Sequence, residues 1–336
     1  MLEIQRIVVP VDFSQAASDA QRRARTIADL FDAELHIVHI TRSKELSGLP
    51  ERLVDADDEA AGALFEHVSG WLGRAGDEGA PDHSPEAESP RVCHVIRHDR
   101  SPHNGILAYA DEIDADLIII GTHGEGGARG PLLGSVADRV VRMASCPVVT
   151  VRPDLATGDP SPDAPAEPDA RRLVVVPVDF SDPSDMLIAH AKHWAVAFGA
   201  RVDVLHVIEE PSLPQFYQLD GFRADMPRLA AEAHDRLERL VAEMEGPDVD
   251  VETRVLFGTP AEEIVDYACA QDARFILMAT HGLSGLREYV LGGVTDQVIR
   301  SSPCPVGALK SSGRSLIASE TEDEEEVADE TDDGTA

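Results

Sequence analysis

Leu117-Ile118-Ile119-Ile120-Gly121-Thr122-His123-Gly124, then nine residues, then Gly134-Ser135, is an apolar run that breaks into a glycine-bearing loop. The loop leads into a helical pattern that includes Val136 and Val140. Four branched aliphatic residues closed by glycine mark a strand handing over to a helix. At such a turn backbone N–H groups are exposed, glycine lets an anion approach without side-chain clash, and the helix N-terminus points its positive end at the charge. An anionic ligand, first of all a nucleotide, is expected there.

The passage returns 158 positions later as Ala279-Thr280-His281-Gly282, nine residues, Gly292-Gly293. Leu133, Val136, Asp138 and Val140 correspond to Leu291, Val294, Asp296 and Val298. Upstream, Ile7-Val8-Val9-Pro10-Val11-Asp12-Phe13-Ser14 returns as Val174-Val175-Val176-Pro177-Val178-Asp179-Phe180-Ser181, offset by 167. The chain is a tandem duplication. The drop in offset places extra residues in the first copy, expected in the polar stretch around Gly73 to Pro90 as a surface loop.

Each copy reads β-α-β-α-β-α-β-α-β. In the first, strands are expected over Arg6 to Val11, Glu34 to Ile40, Arg91 to Arg97, Leu117 to Ile120 and Pro147 to Val151, and their continuous apolar runs suit a parallel sheet covered on both faces. Ser14 is the expected N-cap of the first helix, and Ser101-Pro102 and Thr259-Pro260 each read as a cap followed by proline in the first turn. The expected division is a first domain over 1–152, a linker over 153–170 rich in Pro, Asp and Ala, a second domain over 171–310, and a disordered acidic tail over 311–336.

The 336 residues carry 62 acidic and 29 basic side chains, a net charge of −33, and only three lysines, Lys44, Lys192 and Lys310. Nucleic acid and anionic membranes reward clustered positive charge, so neither is an expected partner. Dense carboxylate with little lysine resembles the proteins of salt-accumulating halophiles such as haloarchaea, where molar salt shortens the reach of self-repulsion to a few ångströms. With no signal-like or bilayer-length apolar segment, a cytoplasmic protein is expected. Cys93, Cys146, Cys269 and Cys304 show no C-x-x-C spacing, and the thiols of Cys146 and Cys304, each before Pro-Val, read as buried.

In an open parallel sheet, ligands sit beyond the carboxyl ends of the strands where the winding reverses. Two segments of fitting character end strands here: Pro10-Val11-Asp12-Phe13-Ser14 and Gly121-Thr122-His123-Gly124. If those strands are neighbours, Asp12 faces the loop and can accept hydrogen bonds from ribose hydroxyls or hold a metal–water shell. Gly121, Gly124 and Gly134 would let amides approach phosphates, and Ser135 would add a hydroxyl at a helix N-terminus. The strand end His39-Ile40-Thr41 would bound the base through its backbone.

P-x-D-x-S at the first turn, His-Ile or His-Val closing the second strand, and G-x-x-G-x9-G-[S/T] after the fourth together resemble the universal stress protein family, UspA type. The resemblance covers both copies. It implies two tandem five-stranded Rossmann-like domains of strand order 3-2-1-4-5, pairing through the fifth strand, here as an intrachain pseudo-dimer with a homodimer also open. It further implies ATP binding in members with the complete motif, with a divalent cation such as Mg2+ or Mn2+. Carried over by position, the contacts are Val11, Asp12, Ile40, Gly121, Thr122, His123, Gly124, Gly134, Ser135 and Val136.

The second copy departs where Ala279 replaces the first glycine and Gly293 the Ser/Thr. A methyl at 279 is expected to hinder backbone approach, and 293 lacks the hydroxyl, so the nucleotide is expected mainly in the first copy. His39 and His206 are expected to be structural, and His94, His98 and His103 not to share a metal. No nucleophile–base pair, Walker loop, nucleophile elbow or kinase set is present, leaving at most a weak ATPase. The expected function is a nucleotide-responsive regulatory or protective factor acting on an unidentified client protein. The alternatives are a nucleotide-independent structural or chaperone-like protein, and a slow ATP hydrolase.

Overall fold

The apolar runs form strands buried on both faces. Ile7, Val9, Leu117 and Ile119 point to one side of the sheet and Val8, Ile118 and Ile120 to the other, all at most 4% exposed. The computed structural model describes residues 2–42, 92–123, 133–153, 172–209, 220–280, 291–311 and 313–317. The first half contains β1 (Arg6–Pro10), α1 (Gln15–Phe31), β2 (Glu34–Thr41), β3 (Val92–His98), α2 (Pro102–Glu112), β4 (Leu117–Gly121), α3 (Ser135–Met143) and β5 (Val148–Val151). The second contains β6 (Arg172–Pro177), α4 (Pro183–Phe198), β7 (Ala200–Glu209), α5 (Asp220–Glu243), β8 (Val251–Gly258), α6 (Pro260–Ala270), β9 (Phe275–Ala279), α7 (Gly293–Ser301) and β10 (Val306–Leu309). The expected insertion and nearly all of the expected linker lie outside the described residues.

Ser14 caps α1 as its sequence suggests, its Oγ accepting from Ala17 N–H at 3.2 Å. Ser101 and Thr259 occupy cap positions, but neither hydroxyl accepts from a backbone amide of its helix. That of Ser101 pairs with the side chain of His103, its Nδ1 at 2.8 Å, while proline at the next position removes one of the amides that helix geometry leaves without an acceptor.

The strands form one ten-stranded sheet, β3-β2-β1-β4-β5-β10-β9-β6-β7-β8, parallel throughout except between β5 and β10. Each half therefore has order 3-2-1-4-5, and the two fifth strands pair with each other inside the chain. The register sets Thr150 against Val306, Val149 against Gly307 and Val148 against Ala308. Val149 thus faces its own counterpart, and a pseudo-twofold axis passes between them. At the axis the halves differ in a compensating way. Leu117 and Val149 of the first become Phe275 and Gly307 in the second, and a Cβ at Gly307 would lie 2.6 Å from Phe275 Cζ. The ring fills the space the glycine leaves and stacks on Trp194, with centroids 5.3 Å apart.

Charges reinforce this seam with the same symmetry. Arg142 pairs with Asp138 on its own helix at 2.8 Å and with Asp296 of the other half at 3.6 Å, and Arg300 repeats the pattern with Asp296 and Asp138. Arg152, just after β5, donates to Ser302 O at the end of α7 at 3.0 Å. Lys310, its counterpart after β10, donates to Arg142 O and Ala144 O at the end of α3 at 2.6 and 2.7 Å. Each half therefore places a cation on the negative end of the other half's helix.

The expectation of disorder from residue 311 needs correction. Arg314 N–H donates to Ser145 O at 2.9 Å, and its side chain reaches Asp114 Oδ1 at 2.7 Å. Leu316, 1% exposed, enters the α1-side core, and its carbonyl accepts from Glu3 N–H at 2.8 Å. Its amide donates to Nε2 of buried His190 at 3.3 Å, while His190 Nδ1–H donates to Met186 O at 2.8 Å. Leu316, the partly buried Ile317, the Arg314 ion pair and a few backbone bonds hold residues 313–317 across both halves. Residues from 318 onward lie outside those described.

Candidate functional site

In the first half, β1 lies between β2 and β4, so the segments that follow these strands open onto one crevice at their carboxyl ends. Asp12 Oδ1 accepts from Ser14 N–H at 3.2 Å, closing the turn after β1. Phe13 is held there at φ 65°, a left-handed conformation that is costly for an aromatic residue, and its ring lies 4.7 Å from that of His39. His39 Nδ1–H donates to Val11 O at 2.9 Å, which gives it the structural role expected.

The loop after β4 has pinned ends. Thr122 N–H donates to Val151 O at 2.8 Å, and Gly134 N–H donates to Thr122 O at 2.7 Å. Ser14 Oγ reaches His123 O at 3.3 Å, linking the turn that carries Asp12 to the loop. Thr122 Oγ1 and His123 Nδ1 are 2.9 Å apart. Gly134 is the N-cap of α3 and offers no capping side chain, so helix geometry leaves the amides of Ser135, Val136 and Ala137 without intrahelical acceptors. Ile40 packs over Gly105 of α2, where an added Cβ would come within 3.0 Å of its Cδ1. Of the ten residues named from the sequence, nine are placed at these strand ends, loop ends and helix start; Gly124 lies outside the described residues.

One expected role changes. Gly121 has no positive φ, and a Cβ on it would lie 2.8 Å from Ala16 C and 2.9 Å from Ala16 O. Its missing side chain makes room for the first turn of α1. The argument that Ala279 hinders ligand approach in the second half therefore loses its basis. There α4 begins at Pro183, the counterpart of Ala16, so the helix entry differs.

In the second half, the counterparts Val178, Asp179, Val207, Ala279, Gly292, Gly293 and Val294 line a cavity of about 430 Å³. Its apolar wall comes from Leu187, Leu205, Ile264 and Met278, with Pro260 at the start of α6 and Glu209 at the end of β7. The repeat alone could identify the first group; the second needs the packing of three helices on the sheet. Ser181 donates both its amide, at 3.1 Å, and its hydroxyl to Asp179 Oδ1. Phe180 repeats the left-handed turn at φ 60°. His206 Nδ1–H donates to Val178 O at 2.9 Å, and burial is the main cause lowering its pKa, which favours the neutral ring. Thr295 spends its hydroxyl on Ala279 O at 2.8 Å. Burial pushes the thiols of Cys146 and Cys304 up to about 12, as suits packed and unreactive groups.

The profile of the universal stress protein family matches residues 3–152 and, a second time, residues 170–310. The chain belongs to the universal stress protein family. Universal stress protein MJ0531 of Methanocaldococcus jannaschii is 34% identical over 149 residues, covering 44% of this chain and 82% of that protein. Universal stress protein MJ0577 of the same organism is 30% identical over 153 residues, covering 41% and 94%. The crystal structure of a universal stress protein from Archaeoglobus fulgidus aligns over 92% of this chain and 98% of its own with a TM-score of 0.58; at 19% identity it speaks to the fold alone. This universal stress protein thus holds two copies of a domain that its relatives MJ0531 and MJ0577 match singly. Among its described residues no helix is long and apolar enough to cross a membrane.

Proposed function

We propose that the first half binds ATP and that the protein acts as a nucleotide-responsive regulatory or protective factor. The observation that carries this reading is the meeting of the Asp12 turn with the pinned loop and the uncapped start of α3, joined through the Ser14–His123 hydrogen bond. A carboxylate on the same crevice as amides that lack intrahelical acceptors fits a ligand with hydroxyls at one end and phosphates at the other. Asp12 would take the ribose hydroxyls or the water shell of Mg2+ or Mn2+, a cation that commonly combines a carboxylate with substrate phosphates. The amides of Ser135 to Ala137 and the Ser135 hydroxyl would take phosphate oxygens, and the backbone at Ile40 would bound the base.

Because Ser14 ties the loop to α1, a bound nucleotide would bias the loop's conformations and so alter the surface offered to a client. Calorimetric titration of the full chain with Mg2+-ATP tests the reading. Binding that weakens by roughly tenfold in Ser135→Ala supports it, since a hydrogen bond to a charged group is worth about that much. No heat in the wild type refutes it and favours a nucleotide-independent structural role. Steady phosphate release that disappears in Asp12→Asn would instead identify a slow hydrolase.

A further inference from the structure

β8 ends the sheet, with only β7 beside it among the described residues. Val202 N–H of β7 donates to Asp250 O at 2.9 Å, and the direction of the backbone groups alternates along a strand. Asp250, Glu252 and Arg254 therefore turn their N–H and C=O toward β7, whereas Val251, Thr253 and Val255 turn theirs outward. Side chains alternate as well. Val251 and Val255 pack against the cluster that holds Leu237 of α5, and Thr253 Oγ1 is 3.4 Å from His234 Nδ1 of the same helix. Glu252 and Arg254 share the other face, pair with each other, and keep side chains 38% and 48% exposed.

The stretch Val251-Glu252-Thr253-Arg254-Val255 is complementary to itself when reversed. With a twofold axis at Thr253, a second β8 laid antiparallel sets Val251 against Val255, Glu252 against Arg254 and Thr253 against Thr253. The outward groups of the two threonines exchange both hydrogen bonds, and the flanking valines do the same. Glu252 and Arg254 then fall between those bonds, where opposing side chains come closest. Other registers fail on charge. An axis at Glu252 or Arg254 sets like charges together, one at Val251 sets Asp250 against Glu252, and one at Val255 sets Arg254 against Leu256. The opposite edge, β3, has no carboxylate between Val92 and His98 to meet its Arg97.

We infer that the outer edge of β8 docks a second copy of this chain, antiparallel about Thr253, so that one sheet runs through both copies. The strand carries no proline, and its two charges are opposite in sign, so they select one added strand instead of discouraging all. The fifth strands already pair inside the chain, and this contact does not compete with them. It is independent of nucleotide binding.

Sedimentation equilibrium of the full chain over a range of concentrations tests it, in about 0.5 M KCl, where the net charge is screened beyond a few ångströms. The wild type should pass from one chain to two as concentration rises. Glu252→Arg and Arg254→Glu should each weaken association at least roughly tenfold, because each sets like charges together across the axis. Mixing the two variant chains should restore a dimer, since each supplies the charge the other lacks, and so should both substitutions in one chain. Thr253→Pro removes an outward N–H while sparing the ladder to β7, and should give a folded monomer. Thermal melts establish that each variant folds. The inference is overturned if the wild type stays a monomer up to roughly 0.1 mM, if the dimer persists in Thr253→Pro, or if the mixed variants associate no better than either alone.

Discussion

Gly121→Ala separates two explanations of a glycine at the end of β4. If the residue serves ligand approach, alanine should spare the ligand-free protein and harm binding. The packing says otherwise. The added Cβ would sit 2.8 Å from Ala16 C and Cβ and 2.9 Å from Ala16 O, closer than carbon atoms approach, and two of these three atoms are backbone. The start of α1 must therefore move by several tenths of an ångström, an overpacking that costs about 1–3 kcal/mol. Alanine also narrows the unfolded ensemble, which returns about 0.4–1 kcal/mol. The clash wins, with a net loss of about 1–2 kcal/mol and a melting temperature lower by roughly 2–8 °C. Urea denaturation and calorimetry of the ligand-free protein measure it. The reverse change, Ala279→Gly, should not by itself confer ATP binding on the second half. Unchanged stability of Gly121→Ala together with lost ATP binding would refute the packing account.

Further consequences follow from the seam and the C-terminal segment. Burial is the main cause holding His190 below the ordinary histidine value of about 6.5, so the unfolded chain takes up the proton first. The stability it contributes is present above that value and is lost as pH falls toward and through the folded value. The protection factor of the Leu316 amide, measured against the intrinsic exchange rate at each pH, should fall as pH drops below that value, and an unchanged factor would count against the His190 contact. Replacing Lys310 with Met should cost about 1–3 kcal/mol, because two short bonds to the end of α3 disappear from a half-buried place; denaturation of the full chain reads this. With a net charge of −33, melting should shift upward between about 0.1 M and 2 M KCl, and a flat response would argue against the halophilic reading.

Local pattern carried most of the fold. The Ile/Val/Leu runs of β1 and β4 place the strands within a residue of where they lie, because strands buried on both faces leave no room for polar residues. The join of β5 to β10 follows from family resemblance and not from composition, since Val149 and Gly307 meet across 158 residues of chain, and its antiparallel sense is seen only in the structure. The exchange of Leu117 and Val149 for Phe275 and Gly307 becomes intelligible only once those residues are neighbours. At the candidate site, the positions of Asp12 after β1, Thr122 after β4 and Ser135 at the start of α3 could be read from the motif. The role of Gly121 was not, because a glycine required by a helix and one required by a phosphate look alike in sequence. Phe13 and Phe180 gave no hint of left-handed turns, which phenylalanine rarely adopts. In the 313–317 segment the apolar contacts of Leu316 and Ile317 were hidden within a polar, serine-rich stretch.

Amide hydrogen exchange of the full chain with and without saturating Mg2+-ATP tests the central claim most directly, because it reports where the nucleotide acts as well as whether it binds. The account predicts slowed exchange at Thr122 and His123 and at Ser135 to Ala137, with no matching change at Gly293 to Thr295. Protection confined to the second half, or none in either, would contradict it.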